Sequence, residues 1–288
     1  MFTAFACCFL LLSLADAADD GMGRRSFMGF RNWNQWQFVA PLAQPRRARP
    51  LHTQPHARLC PRLPPNPRGN IDQQMMEDVM DAMVKPRDAN GTSFASLGYS
   101  DVGLDDYWQK CGSYGPRNYT YHDALGNPQV DTDRFPDLGA MVAKAHALNL
   151  TAGFYSNNCR CADHCTDTLC FAADVNAILG WNFDSLKLDG CGKQENVQLW
   201  YDLFNWSITS SGNTRKPMVI ENCHNGPRQG SPASITPFGP HDPTPDWCPF
   251  HMYRSSTDIR PVYASVLTNL LTIPPLAKAN LSRPGCWA

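Results

Sequence analysis

Short apolar runs alternate with longer helical stripes along most of this chain, and polar side chains gather where the short runs end. Candidate strands run over 26–30, 97–104, 151–155, 185–189, 218–221 and 252–255. A helix opens at Asn70-Ile71-Asp72-Gln73, with Asn70 as N-cap and Gln73 reaching back to it. Ile71, Met75, Val79 and Met83, set four apart, give that helix a single apolar stripe. Further helices are expected over 135–148, with Leu138, Met141, Val142 and Ala145 on one face, and over 171–179, 195–208 and 261–271. The last carries Pro261 in its first turn, where a missing N–H costs nothing.

Strand–helix alternation of this kind implies a parallel sheet covered by helices. No Gly-x-Gly-x-x-Gly follows a strand, so a dinucleotide-binding sheet has no support. Asp105, Tyr155, Asp189, Glu221 and Asp258 instead recur at strand C-termini, and a barrel collects such residues at one mouth. The expected fold class is α/β, a (β/α)8 TIM barrel that is incomplete, with about six of its eight βα units present.

The apolar run Phe2–Leu14 ends in Ala15-Asp16-Ala17 and reads as a secretory signal over 1–17, leaving the barrel in 18–288. The run is too short to span a bilayer, and no later segment is long and apolar enough, so no stable membrane insertion is expected after cleavage. A net charge of -1 gives no electrostatic case for nucleic acid. From 37 to 69 there is no acidic residue, and Pro and Arg dominate. That stretch, with neither helical nor strand period, reads as a disordered insertion or as a gene-model error such as a retained intron. The stop at Ala288 reads as a C-terminal truncation.

Cysteine use fits export. With Cys7 and Cys8 in the leader and Cys60 in the insertion, nine of the 12 remain, an odd number that leaves one thiol without a partner in the chain. The sequons at Asn90, Asn118, Asn149, Asn205 and Asn280 point the same way. The cluster Cys159-Arg160-Cys161-Ala162-Asp163-His164-Cys165, followed by Cys170, holds zinc-ligand residue types. In a secreted chain disulfides are the better reading, so no metal and no cofactor is expected. Cys191 should pair with one of Cys159, Cys161 or Cys165. His224 and His241 read as plain loop histidines.

Two carboxylates on different strand ends of one scaffold, Asp189 and Asp258, are the parts that glycoside cleavage requires. One must be ionised to attack the sugar carbon, and one must carry a proton for the leaving oxygen. Lys187 and Asp189 are two apart on a strand and face the same side, so the ammonium favours the charged form of Asp189. Asp258 would hold its proton in a less charged, more buried place. Asp105-Asp106 could accept from vicinal sugar hydroxyls, and Trp33 and Tyr155 offer aromatic faces. Lys187, and more weakly Glu221, are charged residues in apolar strands and need partners.

On these residues the chain resembles the α-galactosidases of glycoside hydrolase family 27. The match runs through Phe27-Met28-Gly29-Phe30-Arg31-Asn32-Trp33-Asn34, Leu104-Asp105-Asp106-Tyr107-Trp108, Gly153-Phe154-Tyr155-Ser156, Leu186-Lys187-Leu188-Asp189-Gly190-Cys191 and Arg254-Ser255-Ser256-Thr257-Asp258-Ile259. The resemblance implies a (β/α)8 barrel followed by an antiparallel β domain, and a retaining hydrolase of terminal α-linked galactose. It implies Asp189 as nucleophile, Asp258 as acid/base, Asp105, Asp106, Lys187 and Arg254 as sugar-hydroxyl ligands, and Trp33 and Tyr155 as pocket aromatics. The chain departs from the family at Ile220-Glu221-Asn222-Cys223-His224, where Cys-Glu-Trp is usual; that strand helps choose between galactose and N-acetylgalactosamine. The alternatives are therefore an α-N-acetylgalactosaminidase of the same fold, an inactive sugar-binding fragment, or an unrelated barrel enzyme using zinc. The implied partner is an α-galactoside substrate, in an extracellular, lysosomal or vacuolar setting, with room for a homodimer of the full-length protein.

Overall fold

The computed structural model describes residue 22 and residues 29–31, 71–156, 159–212, 215–223, 243–256, 258–259 and 262–288. The expected leader at 1–17 and the expected insertion at 37–69 lie outside the described residues, as do Trp33, Asn70, His224, His241 and Pro261. Among the described residues six strands appear in chain order: β1 (Gly29–Arg31), β2 (Asp101–Gly103), β3 (Thr151–Ser156), β4 (Ser185–Asp189), β5 (Val219–Cys223) and β6 (Met252–Tyr253). Every neighbouring pair is parallel, and spatial order follows sequence order. Among the described residues six helices accompany them: α1 (Gln73–Val84), α2 (Leu138–Ala147), α3 (Thr168–Gly180), α4 (Val197–Ser210), α5 (Tyr263–Leu270) and α6 (Ile273–Lys278). A sheet that adds each new strand beside the last, with helices between, is the wall of a (β/α)8 barrel, here incomplete.

Side-chain alternation sorts the wall into two faces. Phe154, Leu186, Leu188 and Ile220 are fully buried and belong to one core with Met141, Val142, Val175, Ile178, Trp200 and Phe204 from the helices. Each such side chain contributes about 1.5–3 kcal/mol by leaving water. The opposite positions, Tyr155, Lys187, Asp189, Glu221 and Cys223, carry the polar groups. Helix α2 buries Leu138, Met141, Val142 and Ala145, as its spacing indicates.

Helix α1 departs from the sequence reading. Its N-cap is Asp72, whose carboxylate accepts from the Met75 N–H at 2.8 Å. Gln73 instead accepts from the Asp137 N–H and donates to Glu77. Its buried face is Met76, Val79, Met80 and Met83, with Met75 only partly covered. Consecutive methionines offer two faces, and packing selects the broader one, spaced three and four, over the single four-residue row. The expected strand over 97–104 shrinks to three residues. A short 3-10 turn at Ala95–Leu97, ending on Gly98 with φ 95, takes up the start of the expected run. Helix α6 begins with Pro at its first turn and lies beyond the expected end of the helix before it.

Past β6 the chain returns to the sheet. Trp287 makes a parallel bridge to Met252, donating to the His251 carbonyl at 2.9 Å and accepting from the Tyr253 N–H at 2.8 Å. Disulfides join Cys111 to Cys161, Cys159 to Cys191, Cys165 to Cys170 and Cys248 to Cys286, leaving Cys223 the free cysteine among the described residues. Cys191 takes Cys159 of the three candidates. Four cross-links suit the oxidising secretory pathway.

The long connection from β2 to α2 is pinned by a buried charged network. His122 is completely covered. Its Nδ1 lies 2.6 Å from Asp163 Oδ2 and its Nε2 3.0 Å from Asp174 Oδ2. Gln194 donates to Asp174 at 2.8 Å and accepts from the Tyr121 hydroxyl at 3.2 Å. Burial opposes charge on the imidazole, but the two carboxylates outweigh it and push His122 up to about 9.

Candidate active site

The carboxyl ends of β2 to β6 meet at a single mouth because parallel strands in register bring matching residues level. Tyr155 on β3 is level with Lys187 on β4, which is level with Glu221 on β5, which is level with Met252 on β6. One step further out, Asp189 is level with Cys223. A cavity of about 450 Å³ opens at this end, lined by Asp105, Lys187, Glu221, Arg254 and Asp258 among others. Five of the nine residues singled out in the sequence therefore share one cavity.

Asp189 is not among its lining residues, but the hydrogen-bonded and charged contacts at the mouth reach it. Lys187 Nζ lies 2.7 Å from Asp105 Oδ2 and 3.9 Å from Asp189 Oδ2. The Tyr155 hydroxyl donates to Asp189 Oδ2 at 3.1 Å. Asp105 is 2% exposed, Lys187 12% and Asp189 17%, so the three charges interact where water screens them weakly. The ammonium belongs first to Asp105. Burial pushes the Asp189 carboxyl above the ordinary carboxylate range; Lys187 pulls it back, Asp105 pushes it further up, and Tyr155 lowers it. The expected pull of Lys187 on Asp189 is thus present but outweighed. Burial and the surrounding carboxylates raise the Tyr155 phenol, which stays a donor.

Asp106 turns away to the backbone. Its Oδ2 accepts from the N–H groups of Cys159 and Arg160 at 3.2 and 2.9 Å, and its Oδ1 from the Tyr107 N–H at 2.9 Å. Burial raises its carboxyl despite these bonds. The side chain fixes the loop that carries the Cys159–Cys191 disulfide, and Tyr107 beside it holds a φ of 87. Adjacent aspartates thus divide the work: Asp105 faces the cavity and Asp106 faces the loop.

Asp258 does not sit in the buried, weakly charged place that would hold its proton. It is 47% exposed and forms an ion pair with Arg254. Arg254 also donates to the Ser256 carbonyl at 2.8 Å and approaches Cys223 Sγ at 3.4 Å. Burial raises the Cys223 thiol, which stays protonated. The cysteine lines the cavity, a role the sequence reading did not give it; its two-residue spacing from Glu221 was the available signal. Among the described residues at the mouth, Cys159 and Cys191 are joined in a disulfide and Cys223 is a free thiol. Within the described residues, Cys159, Cys191 and Asp189 form one cluster of metal-ligand types, and His122, Cys165 and Cys170 form another.

Comparison with known proteins follows the same lines. The family model described as Alpha galactosidase A, of melibiase type, matches residues 63–238. An alpha-galactosidase of Cyamopsis tetragonoloba is 24% identical over 214 residues, 73% of this chain and 40% of that protein. A protein of Emericella nidulans named probable alpha-galactosidase B is 28% identical over 131 residues, 44% of this chain and 26% of that one. The matched part thus spans well under two thirds of these relatives' own length. Among solved structures, alpha-galactosidase I from Mortierella vinacea superposes with a TM-score of 0.54 at 21% identity, covering 94% of this chain and 59% of that one. That likeness supports the barrel wall. A family match over most of the chain, with the ordered strand-end residues above, leads to one assignment: the chain belongs to the alpha-galactosidase family, glycoside hydrolase family 27.

Proposed function

We propose that this barrel is the catalytic part of a retaining α-galactosidase that removes terminal non-reducing α-D-galactosyl residues from oligosaccharides, galactolipids or glycoproteins. The supporting observation is the mouth cavity lined by Asp105, Lys187, Glu221, Arg254 and Asp258, with Asp189 held beside it by Lys187 and Tyr155. In this reading Asp189 attacks the anomeric carbon, and the developing charge on the sugar is met by a carboxylate that Tyr155 and Lys187 orient. Asp258 supplies the proton to the leaving oxygen and then draws one from water. Arg254 must turn from Asp258 to a sugar hydroxyl as substrate enters, which couples binding to the acid's readiness. Asp105 and Lys187 take the vicinal hydroxyls as a paired acceptor and donor, and Glu221 faces the adjoining hydroxyl. The product works in the extracellular space or in a lysosome or vacuole.

Incubation with an aryl α-galactoside, followed by NMR of the first sugar released, tests the reading. The α anomer should appear first, and Asp189→Asn should reduce turnover by at least a thousandfold. Release of the β anomer would remove the double displacement. Faster cleavage of the aryl N-acetyl-α-galactosaminide would transfer the site to that substrate.

A further inference from the structure

We propose that the Cys159–Cys191 disulfide covers a soft-metal site at the barrel mouth. Once opened, its two thiols and the Asp189 carboxylate bind one thiophilic divalent cation, such as zinc or cadmium, and the bound ion silences the mouth. Cys159 Sγ, Cys191 Sγ and an Asp189 carboxylate oxygen lie within 4.8 Å of one another. Cys191 Sγ is 3.3 Å from Asp189 Oδ1. With metal–sulfur and metal–oxygen bonds of about 2.3 and 2.0–2.2 Å in a tetrahedron, a sulfur and an oxygen ligand stand about 3.5 Å apart. The carboxylate is therefore already placed, and the two sulfurs need only part to about 3.8 Å once their bond is cut. The Tyr155 hydroxyl, 3.1 Å from Asp189 Oδ2 and 3.7 Å from Cys159 Sγ, stands where it can hold the ligating carboxylate.

Access singles out this bond. Cys159 and Cys191 are both exposed, whereas every other described disulfide has at least one buried sulfur partner: Cys161, Cys165 and Cys170, Cys248 and Cys286. Exchange begins with attack of a thiolate on a reachable sulfur. An external dithiol reduces the bond to two protein thiols and leaves as its own cyclic disulfide. Binding of the cation then releases the two thiol protons. The second cluster, His122 with Cys165 and Cys170, meets the same distance limit, but it is buried and both nitrogens of His122 face aspartates.

The metal site stands on geometry alone, whereas its inhibitory effect rests on the proposed role of Asp189. Three measurements separate them. Mild dithiol treatment, alkylation and peptide mapping should modify Cys159 and Cys191 ahead of the other paired cysteines. Cadmium titration, followed by thiolate–cadmium absorbance, should show one ion per chain in reduced protein beyond the untreated background, where Cys223 is the free thiol among the described residues. Asp189→Asn should weaken that binding at least tenfold, and Cys159→Ser with Cys191→Ser should abolish it. Earlier alkylation of the other pairs, or no added cadmium after reduction, overturns the site; both are read on the wild-type chain, so a variant that fails to fold does not obscure them. Aryl α-galactoside turnover should disappear on cadmium loading and return with a chelator. Cadmium bound with turnover intact overturns the silencing. Absence of turnover in untreated protein defeats the function proposed above and leaves the binding result standing.

Discussion

Replacing Lys187 by Met puts the charge balance of the mouth to the test. The ammonium is 2.7 Å from Asp105 and 3.9 Å from Asp189. At an effective dielectric of about 20, a pair near 4 Å interacts by about 4 kcal/mol, and the closer one by more. Most of that offsets the desolvation of three side chains that are each less than a fifth exposed. What remains on removing Lys187 is an uncompensated carboxylate at a 2% exposed position, a loss of about 3–5 kcal/mol in stability. Domains carry only about 5–15 kcal/mol in total, so the variant should unfold at markedly lower urea concentration at neutral pH. The companion variant Lys187→Met with Asp105→Asn should recover more than half of the loss. The assay is urea unfolding followed by tryptophan fluorescence at pH 7 for the four members of the cycle. A single variant within about 1 kcal/mol of the parent at pH 7 would refute the reasoning, as would a double variant less stable than the single.

Other outcomes follow from the same contacts. His122, pushed up to about 9 from an ordinary 6.5, contributes stability that is complete below 6.5 and lost as pH rises through about 9. Asp163, held below its ordinary 3.8, contributes above that value and loses its share as pH falls beneath it. Thermal unfolding scanned from pH 4 to 10 should therefore decline on the alkaline side, and His122→Leu should flatten that decline. Asp106→Ala frees the Cys159 and Arg160 N–H groups on the loop after β3; limited proteolysis should cut near Arg160 faster while aryl-glycoside KM rises. Phe154→Ala empties a fully buried site among Trp108, Trp181 and Phe183 and should destabilise by about 3–5 kcal/mol in urea unfolding.

The strands were legible because their residue spacing carries two messages at once. Ser185-Leu186-Lys187-Leu188-Asp189 alternates apolar and polar positions, and the structure buries Leu186 and Leu188 in the core while Lys187 reaches the cavity. Helix α2 was legible for a similar reason: a single apolar face with Leu138, Met141, Val142 and Ala145 admits one packing. Helix α1 was less so, because Met75 and Met76 compete for the core and only contacts with distant elements decide between them. The union of Cys159 with Cys191 could be narrowed to three partners but no further, since spacing says nothing about which sulfur a loop presents. The His122 network was invisible because its members come from four separate segments, linked by hydrogen bonds that span 41, 52 and 73 positions. At the mouth, residue types revealed that Asp105 and Asp106 belong together. They could not reveal that the first faces a cavity and the second three backbone donors, a division set by the loop at Cys159. The exposure of Asp258 was equally beyond reach, because it depends on how a loop leaves β6, whereas its four-residue spacing from Arg254 already put a cation close behind it.

Whether Asp189 attacks a sugar carbon at this mouth can be read in one experiment. The protein is incubated with a fluorinated galactoside bearing an activated leaving group, digested, and sequenced by mass spectrometry. A single galactosyl adduct on the peptide holding Asp189, formed with loss of turnover, is the expected result. An adduct on a different carboxylate, or none in protein that still cleaves an aryl α-galactoside, would contradict it.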